Sequence, residues 1–265
     1  MVVPAVHLAP ALLVSLALSI VISRLLRRWP AGRPLLAGNG DCAQCGGGRA
    51  WLAEVPGVGL GGVFQPFPCG HLRGALPTIN AAVLVGGSAA LVFLHRGAPW
   101  PLLVQSLLLL HLLYPLAVID LRTLTVETRL VLIGLALRAV GLAVFQRSLL
   151  LPMVGGMFIG AGLFTMVELM YRTARNRMGL GEGDTAVMGL IGFFVGWQGV
   201  LPVVGLAARS GLMVGFPLLL LRREPASSTP IPFVPFLAAA GMAVFLLQNL
   251  GPPEWLGSLP FGPAS

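Results

Sequence analysis

The chain has 265 residues, of which 56% are hydrophobic and only 10% are charged, and its formal net charge is +8. This composition excludes an ordinary soluble globular domain. A nucleic-acid binder is also excluded, because it would cluster its basic residues on a polar domain and no segment here is large enough. All 17 basic residues are arginine, and we expect anionic lipid at a membrane face as their partner. Three cysteines are too few for a disulfide framework.

Long apolar runs predict an all-α integral membrane protein. A bilayer core takes about 20 apolar residues per helix, and the pattern predicts eight transmembrane helices. Their predicted ranges are 5–24, 78–95, 100–121, 129–146, 150–171, 184–197, 199–221 and 231–249. The first helix, 1–24, is therefore separated by a loop from a transmembrane core at 78–250, and a Gly/Pro-rich tail follows at 251–265.

The distribution of arginines predicts the orientation in the membrane. If the N-terminus is outside the cytoplasm, 13 arginines lie in cytoplasmic segments and only Arg96 and Arg147 lie outside. The positive-inside rule then places both termini outside the cytoplasm. No basic residue precedes the first span, so it is not expected to be a cleavable signal peptide. Arg138 and Glu168 lie at membrane depth, where charge is costly, and a partial pairing of the two is one interpretation.

Residues 25–77 form the one large segment predicted outside the bilayer, on the cytoplasmic side. Its 12 glycines and 6 prolines leave it little capacity for a core of its own. A structural zinc ion bound by Cys42, Cys45, Cys69 and His71 would staple it, because two thiolates three residues apart and a distant second pair complete a tetrahedron. The C-x-H spacing of the second pair leaves reduced cysteines without metal as the alternative.

Two of the three aspartates, Asp120 and Asp184, lie at the predicted cytoplasmic ends of two spans. Asp120 ends the third span and Asp184 opens the sixth, so the two are expected at equal depth. Such a pair suits the activation of water, in which one carboxylate takes a proton while the other, protonated, polarises a carbonyl. Gly181 and Gly183 leave room for an extended peptide substrate. The alternatives are a helix N-cap for Asp184 and a solvated carboxylate for Asp120.

These motifs resemble those of the bacterial type IV prepilin peptidases, polytopic aspartyl proteases of the GxGD class. The segments that carry the resemblance are G-x-G-x-G-D at 179–184, Gly196-Trp197 at the end of the following helix, Ile119-Asp120 after an apolar span, I-P-F-V-P-F-L at 231–237, and a Cys-x-x-Cys in the loop after the first span. The resemblance implies that Asp120 and Asp184 are the catalytic residues. The sequence departs from the family at Pro66, where the second Cys-x-x-Cys would begin, and at Ala186, where a lysine is usual.

The resemblance also implies a substrate and a location. The expected reaction removes the cytoplasmic leader from type IV prepilins or pseudopilins, at the inner face of the bacterial cytoplasmic membrane, in pilus assembly or type II secretion. Many family members also N-methylate the new amino terminus with S-adenosylmethionine, a cofactor for which the residues by themselves indicate no site. Glu127 and Glu182 are predicted to attract a basic leader, and two ordinary solvated carboxylates are the alternative.

The sequence leaves two other functions open. A transporter or channel could use the charges within the spans, although no internal repeat relates the two halves. A GxGD protease that cuts inside the spans of another substrate is the second alternative. The loop at 25–77 and the segment at 231–237 favour a prepilin peptidase over a GxGD protease of that second kind.

Overall fold

The computed structural model is almost wholly helical and describes residues 8–28, 75–96, 98–175, 181–222 and 232–250. The helices are α1 Leu8–Arg28, α2 Ala75–Leu94, α3 Trp100–Thr123, α4 Thr128–Phe145, α5 Leu150–Arg175, α6 Glu182–Arg222 and α7 Val234–Leu250, with a 3₁₀ turn at Arg147–Leu149. The predicted all-α class is confirmed. Most of the predicted loop 25–77, including Cys42, Cys45, Cys69 and His71, and the tail 251–265 lie outside the described residues.

Four helical stretches are long and apolar enough to cross a membrane, and three shorter helices are apolar as well. The long ones are Trp100–Thr123, Thr128–Phe145, Arg147–Ala174 and Gly183–Gly215, and the shorter ones are Leu12–Ile22, Ile79–Leu94 and Val234–Leu250. Large apolar side chains point outwards from the bundle, for example Leu151, which is 82% exposed. Such surfaces are stable against lipid and not against water, so the chain is a membrane protein.

The chain divides into two units, residues 1–97 and 98–265. In the first unit, α1 and α2 pair through a chain of buried hydroxyl groups. Ser15 donates to the hydroxyl of Ser88 at 2.6 Å, and Ser88 donates to the carbonyl of Leu84 at 2.6 Å. Hydrogen bonds between small polar residues are a common means of holding helices together in lipid.

In the second unit, α5 and α6 approach closely through glycine. A Cβ atom at Gly156 would collide with the backbone of Gly192 and Gly196, and one at Gly160 would lie 2.8 Å from the carbonyl oxygen of Met188. Glycine at these positions lets the two backbones touch, which strengthens dispersion contacts where lipid offers no hydrophobic driving force. The first part of α6 is therefore buried against α5, and it carries the core residues Ile191 and Phe194.

Helix α6 consists of two arms that meet at Gly196, which has φ 71° and ψ 174°. A straight helix would separate Gly183 from Gly211 by about 42 Å. Instead, Gly183 lies against Val126, and Gly211 lies against the ring of Phe233, next to the start of α7. Both arms thus reach the same end of the bundle, and the chain reverses at Gly196. The separate ranges predicted at 184–197 and 199–221 correspond to these two arms.

Arg138 of α4 is buried at the reversal, with 2% of its surface exposed. Its Nε donates to the carbonyl of Phe193 at 3.3 Å, and its guanidinium lies 4.9 Å from the centre of the Phe194 ring. The break at Gly196 leaves carbonyls at the end of the first arm without helical donors. Among the described residues Arg138 forms no ion pair with Glu168, since the free carbonyl of Phe193 takes its Nε instead. The suggested pairing of the two charges was wrong.

Candidate active site

Asp120 lies in the last turn of α3, where only 5% of its surface is exposed. The helix ends at Leu124, whose φ of 53° is left-handed and whose N–H donates to the carbonyl of Asp120 at 2.9 Å. A non-glycine residue in this region costs about 1–3 kcal/mol. This turn directs the following residues, 125–127, sharply away from α3 and across the end of the bundle.

The carboxyl group of Asp120 bonds to a helix distant in sequence. Its Oδ2 accepts a hydrogen bond from the backbone N–H of Val234, the first residue of α7, at 3.0 Å. The segment Pro232–Leu237 therefore lies beside Asp120. This segment is one of those that carry the family resemblance, and in the structure it contacts an aspartate predicted to be catalytic.

Asp184 lies in the first turn of α6, and its side chain is only half buried. Its N–H donates to the carbonyl of Gly181 at 3.0 Å, and its carboxyl group is hydrogen-bonded to the backbone of the same glycine. This reciprocal contact resembles a capping box, in which the third helical residue reaches back to the N-cap. Asp184 is therefore not the N-cap itself, since Gly181 holds that position and Asp184 is the third residue of α6.

Gly183 fixes the position of Asp184 relative to α3. A Cβ atom at residue 183 would lie 2.5 Å from Cγ2 and 2.6 Å from Cβ of Val126, in the turn that follows Asp120. Only glycine lets the start of α6 approach that turn so closely. At Gly181 the corresponding atom would lie 3.7 Å from Oδ2 of Asp184, an ordinary contact.

The two carboxyl groups are close enough for the charge of Asp120 to act on Asp184. Two like charges at one end of an apolar bundle do not stabilise the fold, because each loses hydration without gaining a counter-charge. Carboxylates that interact in this way take up and release protons as a pair. Such a pair is suited to proton exchange with a water or a peptide carbonyl, and the catalytic role of the two aspartates stays a prediction.

Aromatic rings adjoin the aspartate end of the bundle. The ring centre of Phe233 lies 6.3 Å from that of Phe164 on α5 and 6.5 Å from that of Phe236 on α7. These rings supply apolar surface next to the Val234 N–H that binds Asp120. Nothing in the sequence marks Val126, Phe164 or the backbone N–H of Val234 as parts of the site. The proline-flanked segment was the one available signal, and it pointed to residues 231–237 without indicating a role.

The other predicted site residues fall in different surroundings. Glu127 caps α4, because its carboxylate accepts a hydrogen bond from the N–H of Arg129 at 3.4 Å, and its side chain is 13% exposed. Glu182 begins α6. Contacts of Gly181, Gly183, Glu182 and Glu127 with a substrate stay predictions. Within the described ranges no cluster of three or more His, Cys, Asp or Glu residues could hold a metal ion.

Comparison with known proteins connects this geometry to a family. Residues 107–247, which include both aspartates and the start of α7, match the model described as the type IV leader peptidase family. The chain belongs to this family. No solved structure matches the chain.

Several relatives match longer or shorter parts of the chain. The leader peptidase HopD of Escherichia coli is 38% identical over 92 residues, which are 34% of this chain and 57% of HopD. A prepilin leader peptidase/N-methyltransferase of Myxococcus xanthus is 30% identical over 211 residues, 77% of this chain and 59% of that protein. The protein of the same name from Pseudomonas aeruginosa is 30% identical over 223 residues, 80% of this chain and 72% of the relative. Among the first relatives, the match thus spans little more than half of HopD and of the Myxococcus protein.

Proposed function

We propose that this member of the type IV leader peptidase family is an aspartic endopeptidase of the membrane that removes the leader from type IV prepilins and pseudopilins. The observation that carries the proposal is the close contact of Gly183, one residue before Asp184, with Val126 in the turn after Asp120. This contact brings Asp120 of α3 and Asp184 of α6 to the same end of the bundle. The names of the relatives, leader peptidase and prepilin leader peptidase, support this class of substrate.

The proposed reaction needs only the two carboxyl groups and one water. The ionised carboxylate takes a proton from water, the resulting hydroxide attacks the scissile carbonyl, and the protonated carboxyl donates its proton to the carbonyl oxygen. When the carbon–nitrogen bond breaks, the first carboxyl returns its proton to the leaving amine and the second regains one from the diol intermediate. The pair then holds one proton again, as at the start.

In this proposal the protein crosses the bacterial inner membrane eight times, with both termini outside the cytoplasm. The two arms of α6 count as separate crossings, which supports eight rather than seven. Arg122 and Arg129 flank the turn after Asp120, and basic residues at a membrane boundary favour the cytoplasmic face and its anionic lipids. The aspartates then lie where the leader of a membrane-inserted prepilin ends.

Methylation of the new amino terminus is a second activity that we propose. Some relatives are named N-methyltransferases as well as peptidases, and transfer of a methyl group from S-adenosylmethionine to the new amino terminus remains a proposal here. So does the zinc site at Cys42, Cys45, Cys69 and His71, because these residues lie outside the part of the chain that the structure describes. Metal analysis of the purified protein and methylation of the cleaved product would test the two.

The experiment that tests the peptidase is cleavage of a prepilin by the purified protein in detergent, followed by intact-mass measurement of the product. We expect a mature fragment whose mass corresponds to loss of the leader, and no fragment with Asp184→Ala. The matched control is Glu168→Gln, which removes a carboxylate from α5 outside the pair. Absence of cleavage by the native protein, or equal cleavage by Asp184→Ala, would refute the proposal; a change in solute flux without cleavage would favour a transporter.

A further inference from the structure

The start of α7 leaves one backbone donor that its own helix does not use. The first N–H groups of any helix have no partner within it. In α7, the N–H groups of Phe236 and Leu237 both donate to the carbonyl of Phe233, at 3.1 and 3.2 Å, and Pro235 has no N–H. The N–H of Val234 therefore needs an acceptor from elsewhere, in a place where water has little access because Val234 is fully buried.

That acceptor is Asp120, which is 114 positions away in the sequence. The hydrogen bond holds Oδ2 at the end of α7, so that Oδ1 is the oxygen left for water or for the second carboxyl group. A helix N-terminus also carries partial positive charge, which favours an anion at this point. The carboxyl group of Asp184 is held differently. It contacts the backbone of Gly181, which precedes the same helix, so the contact does not fix Asp184 relative to another helix.

We propose that the backbone N–H of Val234 is a positioning group of the catalytic pair, and that it fixes the orientation of the Asp120 carboxylate towards Asp184. This inference rests on the proposed peptidase function. It assigns a task to the segment Pro232–Leu237: the segment presents one N–H to Asp120, and Pro235 removes the neighbouring donor that would compete for the same carboxylate.

The test removes the N–H and keeps the helix. Val234→Pro is suited to it, because proline is favoured at the first position of a helix and lacks the donor. Val234→Ala is the matched control, since it shortens the same buried side chain and keeps the N–H. Because the proline ring adds bulk near Oδ2, the second variant replaces the amide between Phe233 and Val234 with an ester. The ester retains the valine side chain and removes the donor, but it also weakens the Phe233 carbonyl as an acceptor for Phe236 and Leu237. The proline variant keeps that carbonyl as an amide, so an effect common to both variants reports the lost donor.

We measure kcat, KM and the pH dependence of prepilin cleavage for all three variants and the native protein. The proline variant relative to Val234→Ala, and the ester variant relative to the native protein, are each expected to show kcat lowered by about 10- to 100-fold with KM little changed. The reason is that a hydrogen bond to a charged group is lost. The acidic limb of the rate profile is expected to move to higher pH, since the charged form of the carboxyl loses a donor.

The outcomes separate this inference from the function on which it rests. If the native protein cleaves, and the ester variant matches it while the proline variant matches Val234→Ala in kcat and in pH profile, the N–H does not position Asp120 and the inference is wrong. If the ester and proline variants only lower the unfolding midpoint, the bond is a helix cap for α7 and the inference is equally wrong. A native protein that cleaves no prepilin refutes the peptidase proposal itself.

Discussion

The first arm of α6 has a charged group at each end, and the two ends differ in what the charge contacts. Asp184 lies at the N-terminal end and faces another carboxyl group, Asp120. At the C-terminal end, Arg138 bonds to the carbonyl of Phe193 and lies over the ring of Phe194. Each charge has the sign that the helix dipole favours at its end. Only the aspartate end places like charges together.

This difference separates a charge with a structural explanation from a pair of charges for which we propose a catalytic function. Arg138 is more deeply buried than Asp184, yet its hydrogen bond satisfies the Phe193 carbonyl near the break at Gly196. A like-charge pair is unfavourable for folding, and a fold retains it where proton exchange requires it. A search for a functional site by burial alone would choose Arg138. The sign of each charge and the group it contacts point instead to Asp120 and Asp184.

The largest effect is expected at the aspartate end. Asp184→Asn keeps the size of the side chain and removes its ability to hold or donate a proton, so cleavage should fall by about 10²- to 10⁴-fold. The unfolding midpoint should stay the same or rise, because the repulsion with Asp120 disappears. Cleavage rates and thermal unfolding in the same detergent measure both. If Asp184→Asn lowered the unfolding midpoint as well as the cleavage rate, the proposed difference between the aspartate end and the Arg138 end would be contradicted.

The next effect concerns the packing that brings the pair together. Gly183→Ala places a methyl group against Val126 and should lower kcat by about 10- to 100-fold, because small displacements of catalytic groups are costly. Val126→Gly in the same chain removes both contacting atoms and should restore most of the activity. Gly205→Ala is the control on the same helix, where an added Cβ atom meets nothing within 4 Å. Failure of the double variant to recover would show that Gly183 acts in another way.

A smaller effect is expected at the other end of the arm, and on stability instead of on chemistry. Arg138→Met should destabilise the protein by about 1–3 kcal/mol, because the buried carbonyl of Phe193 loses its donor. Arg147→Met is the matched control, since the exposed Arg147 donates from Nε to the carbonyl of Ala143 in the same way, at 2.7 Å. Its unfolding free energy should change by no more than about 0.5 kcal/mol. Loss of cleavage by Arg138→Met without loss of stability would place this arginine in the reaction.

The smallest effect is expected from the two glutamates near the pair. Replacing Glu127 and Glu182 together by glutamine should lower kcat/KM for a prepilin with a basic leader a few-fold at low salt, because long-range attraction is lost. Glutamine at position 127 can still accept the hydrogen bond that caps α4, so the unfolding midpoint should not change. High salt should abolish the difference between variant and native protein. Equal cleavage at low salt would favour the alternative, in which the two residues are ordinary solvated carboxylates.

Much of the fold followed from the sequence, because apolar length determines where a membrane helix can form. The predicted ranges 100–121, 129–146 and 231–249 each agree with α3, α4 and α7 to within three residues at either end. The reversal between 184–197 and 199–221 was predicted from length as well. The structure adds its cause, which is the left-handed conformation of Gly196.

The site was predictable only in part, for a physical reason. Asp120 and Asp184 stood out because aspartate is scarce in this chain and costly in a membrane. The bond from Val234 to Asp120 uses a backbone N–H, which every residue except proline carries, so no side chain marks it. Likewise, the partner of Arg138 is a carbonyl freed by a helix break and not the acidic residue that a search for opposite charges would choose.

The most direct test of the central claim asks whether the two aspartates act as one unit. We would measure prepilin cleavage by Asp120→Asn, by Asp184→Asn and by the double variant, with unfolding measured in parallel. Groups that act together are strongly non-additive, so the three residual rates should be about equal, each about 10²- to 10⁴-fold below the native rate. If either single variant keeps substantial activity, or if the double variant is slower than both by the product of their separate losses, Asp120 and Asp184 do not form a single catalytic pair.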